Sequence, residues 1–384
     1  MRTACKPPLL VLLLALAGCV AFPPATKHPH YVQARWSQLP QWNEQNPRPS
    51  LLAFLKSCKV VGQRMTWGQV CQAAAQLEYA DEDAVRDFFE SNFMPWMLRN
   101  ADGSGTGLIT GYYEPKLHGS RTPSPRYRYP IYGVPDDLLI IDLASIHPEL
   151  KHMRLRGRLE GRRVVPYYSR AEIEHGHAPQ GKELFWVDDP IGLFFLHVQG
   201  SGRIELPDGT LVKVGYADQN GHPYRSIGRR LIDMGELSPD EVSLQSIRQW
   251  ARAHPERIGE LLSANPSYVF FRELPDRYPG PVGALGVPLT AGYSLAVDRA
   301  FIPLGAPVYL STSWPNEQQH PLNRLMIAQD TGGAIRGSIR ADFFWGFGEQ
   351  AGRLAGSMKQ PGSLWLLLPK GMDPNRLYPT GQRP

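Results

Sequence analysis

The sequence predicts a mostly β fold with separate helical segments, which is the α+β class. Helical patterns occupy residues 49–99, short β-like runs follow Gly107, helices return at Ser238, and β-like runs resume after Gly283. Runs of strands kept apart from runs of helices are typical of antiparallel sheets or barrels. The 36 prolines and 37 glycines suit a turn-rich β protein. Neither a strand–GxGxxG–helix unit nor a Gly-Lys-Ser/Thr loop occurs, so we do not expect a doubly wound nucleotide-binding sheet.

The chain begins with the pattern of a bacterial secretion signal. A basic start precedes an apolar run over residues 7–17, which is too short to remain as a transmembrane helix. The run ends in Leu-Ala-Gly-Cys at residues 16–19, which looks like a lipobox. We therefore expect residues 1–18 to be removed and Cys19 to carry a lipid. The alternative is an ordinary cleaved signal with an incidental cysteine.

The residues after the lipobox indicate where the chain is anchored. Val20, not an aspartate, follows Cys19, and by the usual sorting rule this favours the outer membrane. Lipid chains anchor a protein without spanning the bilayer. Residues 19–48 are polar and Pro-rich, which is typical of a tether. We expect a lipid-anchored protein at the periplasmic face of the outer membrane.

Composition and charge exclude several classes of protein. Hydrophobic residues make up 42% of the chain and charged residues 20%, as in an ordinary globular protein. Once Arg2 and Lys6 leave with the signal, 39 basic residues face 36 acidic ones. This balance is too even for nucleic-acid binding, and no Lys/Arg run suggests it.

Cys58 and Cys71 are the cysteines that accompany Cys19 in the mature chain. Both fall on helical patterns, and the oxidising periplasm allows a disulfide between them. Two buried free thiols are the alternative.

The histidines do not indicate a metal site. The close pairs are His28 with His30 and His175 with His177, and neither has a further Cys or His at ligand spacing. We therefore expect surface loops at both pairs, with no metal and no cofactor.

Helical periodicity marks the following segments. Ser50–Cys58 and Trp67–Leu77 are amphipathic, and Asp81 is the predicted N-cap of a helix. The apolar stripe of that third helix consists of Val85, Phe88, Phe89 and Phe93. Ser-Pro-Asp-Glu at 238–241 predicts the start of a further helix, with proline in its first turn. That helix would carry Val242, Leu244, Ile247 and Trp250, and a second would run from Pro255 to Leu262.

Strand predictions rest on short β-like runs. The runs before the helical insert are Gly107–Tyr113, Tyr127–Tyr132, Leu138–Ile141, Glu183–Val187 and Leu193–Val198. Those after it are Tyr293–Asp298, Pro307–Ser311, Arg324–Gln329 and Ser363–Leu368. Their number and length favour a barrel or a twisted antiparallel sheet over a parallel one.

The segment from Ile327 to Gly346 carries the strongest chemical signal. It places Asp330 and Asp342 among glycines, with Phe-Phe-Trp at 343–345, and Asp298 lies in the same β-rich section. Flat apolar rings are the usual partners of sugars, and a carboxylic acid beside such a surface can be kept protonated as a proton donor. The alternative is a hairpin with surface aspartates in its turn.

Several upstream motifs complete the pattern. In chain order they are Ile109–Pro115 (Ile-Thr-Gly-Tyr-Tyr-Glu-Pro), His197–Gly202 (His-Val-Gln-Gly-Ser-Gly), Gly215–Gly228 and Asn265–Phe271. With the three aspartates they closely resemble the membrane-bound lytic murein transglycosylase A family over roughly residues 50–370. The final segment looks like that family's three-aspartate (3D) domain, a double-psi β-barrel.

The resemblance implies a discontinuous domain arrangement. Residues 49–114 and 281–370 would form one domain, which combines the N-terminal helices with the double-psi β-barrel. Residues 115–280 would form a second, β-rich domain inserted between them, and a groove between the two would hold a glycan strand. Residues 371–384 would be a tail.

The resemblance also implies a reaction. The family cleaves the β-1,4 bond between N-acetylmuramic acid and N-acetylglucosamine in peptidoglycan without water, and leaves a 1,6-anhydro ring. One group acts as general acid and then as general base, whereas a hydrolase usually needs two carboxylates. Its match to the family motif assigns this role to Asp342. Glycan strands and the membrane are the expected partners, and the resemblance names no protein partner in a wall-remodelling complex.

The other site residues keep two interpretations each. Asp330 could orient substrate or stabilise positive charge, or it could belong to a hydrogen-bonded barrel turn, and Asp298 is expected to be structural. The candidates for glycan contact are Thr110, Gly111, Tyr112 and Gln199. For these residues, packing or simple surface exposure is the alternative.

Asp342 must begin such a reaction protonated. An apolar neighbourhood favours that state, whereas the guanidinium groups of Arg336 and Arg340 oppose it if they point toward the carboxyl group. Two rival functions remain. One is an inverting hydrolase that pairs Asp342 with Asp330 or Asp298, and the other is a non-catalytic lipoprotein that binds the cell wall.

Overall fold

The computed structural model describes residues 31–150, 153, 155–276, 278 and 280–377. The signal, Cys19 and residues 20–30 lie outside these residues. The prediction of a tether is wrong for residues 31–48, because Tyr31–Gln33 pairs as a strand with Trp96–Leu98 and the Trp42 side chain is 2% exposed in the core. The described chain forms an eight-stranded, a six-stranded and a three-stranded sheet with helices packed around them. No helix in this part of the chain is long and apolar enough to cross a bilayer.

The strands before the helical insert are β1 (Tyr31–Gln33), β2 (Phe93–Leu98), β3 (Gly107–Glu114), β4 (Lys116–Ser120), β5 (Tyr129–Tyr132), β6 (Leu139–Ile140), β7 (Arg156–Glu160), β8 (Arg163–Pro166), β9 (Glu183–Val187), β10 (Ser201–Glu205) and β11 (Leu211–Gln219). The strands after it are β12 (Val269–Glu273), β13 (Ser294–Val297), β14 (Pro307–Trp314), β15 (Glu317–Asp330), β16 (Arg340–Phe347) and β17 (Lys359–Pro369).

The helices are α1 (Arg48–Val61), α2 (Met65–Ala75), α3 (Glu82–Asn92), α4 (Arg170–Glu174), α5 (Pro190–Gln199), α6 (Ile227–Asp233), α7 (Leu244–Ala253), α8 (Ile258–Ser263), α9 (Gly348–Ser357) and α10 (Pro374–Leu377). Short 3-10 turns precede α1 and α8. The predicted strands near residues 107, 127, 183 and 293 are confirmed, as are the three N-terminal helices.

A closed barrel forms the centre of the eight-stranded sheet. Strands β17, β14, β15, β13, β16 and β3 follow one another by hydrogen bonding, and β3 pairs back with β17. Strand β3 therefore closes the ring, parallel to β16 on one side and antiparallel to β17 on the other. Closure leaves no unpaired edge among these six strands.

The N-terminal helices pack on this barrel. Asp81 caps α3 as predicted, since its side chain accepts a hydrogen bond from the Ala84 amide at 2.9 Å. Phe88 and Phe89 are buried on the helix, while Phe93 has left it and begins β2. The Phe93 ring still packs on Phe89 with centroids 5.7 Å apart. The apolar stripe therefore continues from the helix into the strand.

A disulfide joins Cys58 in α1 to Cys71 in α2, with the two Cα atoms 5.5 Å apart. The bridge closes a short loop, since the cysteines are 13 residues apart in the chain. Loop closure of this size is expected to stabilise the fold by about 3 kcal/mol. It holds together the helical pair that covers one face of the barrel.

The six-stranded sheet is built from the chain between β3 and β13. Its order is β12-β11-β10-β4-β9-β5, and all its neighbours are antiparallel except β10 with β4. Helix α5 contributes Leu193 and Leu196 to its core, where they meet Ile204 and Val214. Strands β6, β7 and β8 form the separate three-stranded sheet.

One strand prediction is wrong. Leu193–Val198 forms the middle of helix α5. The helix has clear end signals, since Asp189 caps it, Pro190 occupies its first turn, and Gly200 follows it with φ at +75°. Its apolar side chains point to two cores at once, which hid the helical period. A short continuous apolar run cannot be assigned to helix or strand by periodicity alone.

The predicted helix start at Ser238 is also wrong. Ser238 does not begin a helix, since its amide and hydroxyl both donate to the Glu241 carboxylate, at 2.9 and 2.7 Å, within an isolated turn. The helix starts at Leu244, where Ser243 is the N-cap. Ser238 and Ser243 both have the sequence features of a helix N-cap. Only Ser243 directly precedes the helical residues that pack into a core, Ile247 and Trp250.

A buried histidine lies in the last turn of α5. His197 is 6% exposed, and its Nδ1 accepts a hydrogen bond of 2.9 Å from Arg170, a residue that can only donate. The Arg170 guanidinium also donates to the backbone oxygens of Asn265 and Ser267. Burial, and then the neighbouring Arg170 charge, hold the pKa of His197 well below its usual range. His197 is therefore neutral in the folded protein.

We predict that His197 lowers the free energy of unfolding when the pH falls below neutral. Below about pH 6.5 His197 is protonated in the unfolded chain but stays neutral in the folded chain, because its pKa in the folded chain is lower. The free energy of unfolding should fall as pH drops through that value, by up to about 1.4 kcal/mol per pH unit. Urea titrations of wild type and His197→Phe at pH 7.5 and pH 5.5 measure this contribution.

The variant should lose less stability than wild type on acidification, whatever its absolute stability. His175→Gln, at an exposed histidine, is the matched control and should keep the wild-type slope. Equal slopes for wild type and His197→Phe would show that the buried histidine does not titrate as described.

Candidate active site

Asp342 lies on β16 in the wall of the barrel. Its register partners are Thr110 on the parallel strand β3 and Ala296 on the antiparallel strand β13. The side chain is 19% exposed. Asp342 is therefore half-buried and keeps access to solvent or substrate, as a group that exchanges protons with a ligand must.

Two side chains hold one oxygen of Asp342. The Thr110 hydroxyl and Nη1 of Arg340 both donate to Oδ1 in short contacts. Arg340 also donates through Nη2 to the Thr110 oxygen at 3.0 Å, and through Nη1 to the Ala341 carbonyl at 2.8 Å. Each of the three side chains thus contacts the other two. The arrangement fixes the direction of the Asp342 carboxyl group.

This geometry decides which arginine faces the acid. Arg340 points toward Asp342, whereas Arg336 is exposed on the preceding loop. Residues two apart on a strand share a face, so the spacing of Arg340 and Asp342 already placed both on one side of β16. Sequence reasoning missed that Arg340 would also bridge to Thr110, because the pairing of β3 with β16 joins residues 230 positions apart.

Asp330 ends β15, whose parallel neighbour β13 separates it from β16. Ala296 on β13 is the register partner of both Asp330 and Asp342. The Asp330 carboxylate accepts hydrogen bonds of 2.9 Å from the amides of Ala284 and Thr331. Asp330 therefore supports the backbone turn that follows β15, two strands away from Asp342.

Tyr112 lies next to both carboxylates. The ring is buried against Phe344, with centroids 5.0 Å apart. Burial, and then the charges of Asp330 and Asp342, raise the pKa of Tyr112 well above its usual range. The phenol therefore stays protonated over the working pH range and is available as a hydrogen-bond donor.

Asp298 has a different environment. It is 6% exposed, and its carboxylate accepts hydrogen bonds from the amides of Ala300 at 3.1 Å and Gly337 at 2.9 Å. Gly337 has φ at +115°, a conformation that only glycine adopts readily. Asp298 thus ties down the loop between Asp330 and Asp342.

The expectation that the aromatic run faces sugar is wrong for two of its members. Phe343 and Phe344 are 0% and 2% exposed, in two separate cores on opposite sides of β16. Trp345 is partly exposed and packs against Gly111, where a Cβ would lie 2.7 Å from the indole nitrogen. Gly111 is therefore required for the close approach of Trp345. Alternation along a strand directs neighbouring rings to opposite faces, and here the barrel covers both.

The six-stranded sheet meets the barrel next to this site. Gln199, at the end of α5, accepts a 3.0 Å hydrogen bond from the Tyr113 amide of β3. Arg203 on β10 donates to the buried Glu114 carboxylate through two nitrogens, at 2.9 and 2.8 Å. The same guanidinium lies 3.8 Å from the ring centroid of Phe347, at the end of β16. These contacts fix both strands that carry the site.

Sequence reasoning missed Arg203 and Glu114. Glu114 belongs to the Ile109–Pro115 motif, and a carboxylate that ends a buried strand needs a cation. Nothing in the sequence identified Arg203 as that cation.

The His175–His177 pair does not form a metal site. The His177 ring stacks on Tyr168 with centroids 4.1 Å apart. The described residues contain no cluster of three or more His, Cys, Asp or Glu side chains that could hold a metal ion.

Comparison with known proteins gives consistent matches. The MltA specific insert domain matches residues 108–272, and the 3D domain matches residues 293–368. Membrane-bound lytic murein transglycosylase A of Escherichia coli (strain K12) is 37% identical over 279 residues, 71% of this chain and 68% of that protein. The Vibrio cholerae protein of the same name is 34% identical over 70% of this chain and 67% of its own length.

Solved structures agree. MltA from Neisseria gonorrhoeae has a TM-score of 0.77 and 42% identity, and the match covers 90% of this chain and 94% of that one. A membrane-bound lytic murein transglycosylase from Agrobacterium tumefaciens has a TM-score of 0.80 and 33% identity, over 91% and 99%. E. coli MltA with bound chitohexaose has a TM-score of 0.69 and 28% identity, over 90% and 96%.

A barrel closed by β3, with an inserted β-rich unit, is the fold of the matched MltA structures, and these matches make the protein a lytic murein transglycosylase, an enzyme of the lyase class. The chain belongs to the membrane-bound lytic murein transglycosylase A family. The expected fold class, a double-psi β-barrel with an inserted β-rich domain, is confirmed.

We predict that Thr110 positions Asp342. In Thr110→Val, Oδ1 of Asp342 loses one donor and Nη2 of Arg340 loses its acceptor. We expect kcat on purified glycan strands to fall about 10–100-fold with little change in KM, because misplacement of a reacting group affects the transition state. Thr110→Ser should restore most of the rate.

Thr312→Val is the matched control, since Thr312 bonds the Pro361 carbonyl at a site exposed to solvent. It should leave both constants near wild type. If Thr110→Val raised KM and left kcat unchanged, Thr110 would be a substrate contact and the positioning role would be wrong.

Proposed function

We propose that the protein cleaves the β-1,4 bond between N-acetylmuramic acid and N-acetylglucosamine without water, with Asp342 as its single general acid and base. Membership of the lytic murein transglycosylase A family supports peptidoglycan as the substrate. The bound chitohexaose of the E. coli relative supports a glycan strand as the ligand.

The reaction proceeds in two proton transfers. Asp342 first donates its proton to the glycosidic oxygen while the C1–O bond breaks, which leaves positive charge on the muramyl ring. The resulting carboxylate then accepts the proton of the C6 hydroxyl while that oxygen bonds C1. The anhydro ring closes, the acid is regenerated, and no water is consumed. A positioned acid–base group typically contributes about 10²–10⁴ in rate.

The bonding of Asp342 is the observation that carries this proposal. Asp298 and Asp330 accept hydrogen bonds from backbone amides and so support turns. Oδ1 of Asp342 instead accepts from two side chains, Thr110 and Arg340. With Oδ1 held, Oδ2 is the atom to carry the proton. Arg340 must be drawn partly toward acceptors on the glycan when Asp342 takes up its proton.

The neighbouring groups have supporting roles in this proposal. Asp330 stabilises the positive charge that develops on the sugar. Tyr112 acts through Asp330 and not by touching the glycan, because its protonated phenol oxygen is buried beside the two carboxylates. Gln199 is bonded to the Tyr113 amide through its oxygen, which leaves its amide group to contact substrate. Gly111 acts indirectly, since it faces the other side of β3 from Thr110 and makes room there for the Trp345 ring.

The domain boundaries expected from the sequence remain part of the proposal. The chain leaves the barrel at the end of β3 and builds the six-stranded sheet before β13 returns to the barrel. This path supports domain boundaries near residues 114 and 281. We propose that the glycan lies where the two units meet, beside Gln199 and Thr110.

A hydrolase remains the rival reaction. Asp298 is a poor second carboxylate because it is buried and accepts two amide hydrogen bonds. Asp330 is the better candidate, since the register places it two strands from Asp342. Inverting enzymes separate their carboxyl groups by roughly 6.5–9.5 Å to admit water. Only the product distinguishes the two reactions.

We predict that wild-type protein releases anhydro-muropeptides from purified sacculi and that Asp342→Asn releases at least about 100-fold less, since the amide cannot exchange the proton. Mass spectrometry of the soluble products measures both yield and chemistry. An anhydro end is lighter than a reducing end by one water.

Asp208→Asn, at an exposed turn residue, is the matched control and should retain full yield. Reducing ends from wild type would establish hydrolysis, and an active Asp342→Asn would remove Asp342 from the mechanism. If wild type bound sacculi but released no product, the protein would be a non-catalytic wall-binding protein and the proposed reaction would be wrong.

We also propose that Cys19 is lipidated and that the protein is anchored at the periplasmic face of the outer membrane. Cys19 lies outside the described residues, so the lipobox pattern and the membrane-bound relatives support this. Cells fed labelled palmitate should label wild type and not Cys19→Ser, and wild type should fractionate with outer membrane. Label retained by Cys19→Ser would contradict the assignment.

A further inference from the structure

The three-stranded sheet presents a hairpin that the proposed reaction does not use. Strands β7 and β8 pair antiparallel from Gly157–Pro166 to Glu160–Arg163, and β6 adds to β7 through Leu139–Gly157. Register partners share a face, and residues two apart on a strand share it too. The side chains on each face of the sheet follow directly from these pairings.

One face of this sheet is entirely apolar. Its members are Leu139, Ile141, Gly157, Leu159, Val164 and Pro166. The Leu159–Val164 pair near the tip is open to solvent, with exposures of 62% and 52%. A strand pair normally hides such a face against a core. Here the open end of the face has aliphatic side chains in contact with water.

The opposite face attaches the hairpin to the fold. Arg156 donates to the Asp218 carboxylate at 2.9 Å, and the Arg158 guanidinium lies 4.2 Å from the Tyr168 ring centroid. These contacts hold the sheet from one side only. The apolar face is therefore presented outward on a supported element.

The tip of the hairpin is basic. Arg162 and Arg163 are exposed, and neither forms an ion pair within the described part of the chain. The one acidic side chain at the tip, Glu160, is already paired with Arg158.

Arg162 lies in the turn, and the pairing of Arg163 with Glu160 places Arg163 on the face opposite Leu159 and Val164. The two arginines therefore border the exposed aliphatic pair at the tip. From there their long side chains can reach lipid phosphates while the aliphatic groups enter the acyl boundary.

We propose that this hairpin docks on an anionic phospholipid surface. Charge complementarity selects this occupant, because a neutral apolar partner would gain nothing from Arg162 and Arg163. Each arginine near an anionic bilayer strengthens the attraction, which decays within a Debye length. Docking would give the folded enzyme a fixed orientation on the membrane that its lipid alone cannot give.

The length of the tether makes a weak contact sufficient. From Cys19 to Tyr31 the chain can extend at most about 40 Å, so a lipidated protein always holds its folded part near the bilayer. A second contact is then intramolecular, with an effective concentration on the order of millimolar. The hairpin therefore needs only modest affinity to stay bound.

Vesicle flotation of the chain without its lipid tests the proposal directly. Residues 20–384 contain every residue of the described fold. This protein should float with vesicles of phosphatidylglycerol and phosphatidylethanolamine, less at high salt, and should not float with phosphatidylcholine alone. Arg162→Glu with Arg163→Glu should lower the bound fraction at least about tenfold. Leu159→Ser with Val164→Ser should lower it as well.

Arg272→Glu with Leu211→Ser, at exposed positions of the six-stranded sheet, is the matched control and should float like wild type. Circular dichroism and turnover of soluble glycan strands should be unchanged in every variant, which separates this test from that of Asp342. No flotation of the wild type, or equal flotation of the hairpin variants, would overturn the proposal.

Discussion

The pairing of β3 with both β16 and β17 is the constraint on which the rest of the structure depends. It closes the barrel, and it brings Thr110 into register with Asp342. The same strand delivers Tyr112 to the space beside Asp330 and Asp342, and it ends in Glu114, which binds Arg203. Barrel closure and assembly of the site are thus one event, since both require the same hydrogen-bonded ladder.

The inserted unit is fixed to the barrel by polar contacts at this same strand. Gln199 bonds the Tyr113 amide, and Arg203 joins Glu114 to the ring of Phe347. A buried carboxylate without a partner is costly, so the Glu114–Arg203 pair specifies one relative placement of the two units. The residues proposed to contact the glycan, Gln199 and Thr110, lie on opposite sides of this interface. A change in the Glu114–Arg203 contact would therefore shift them relative to each other.

Local signals in the sequence were enough for elements whose ends and period agree. Asp81 and the Phe88–Phe89 stripe predicted α3, and the α+β class followed from the texture of strands and helices. The double-psi β-barrel and the inserted domain were expected only from the family resemblance. The failures had physical causes. Helix α5 is buried all round, so its period was invisible, and Phe343 and Phe344 are covered on both faces of β16. The contact of Arg340 with Thr110 depends on strand pairing across most of the chain, which no local pattern records.

The distance in sequence between Thr110 and Asp342, 232 residues, has a consequence for biogenesis. Helices such as α3 can form from local contacts alone, but the barrel cannot close until β16 and β17 have both paired with β3. A chain with this topology therefore cannot assemble the Thr110–Asp342 contact before β16 is available. A fragment that ends before β16 would carry Thr110 without Asp342 and Arg340, so local folding of the N-terminal part alone cannot produce this cluster.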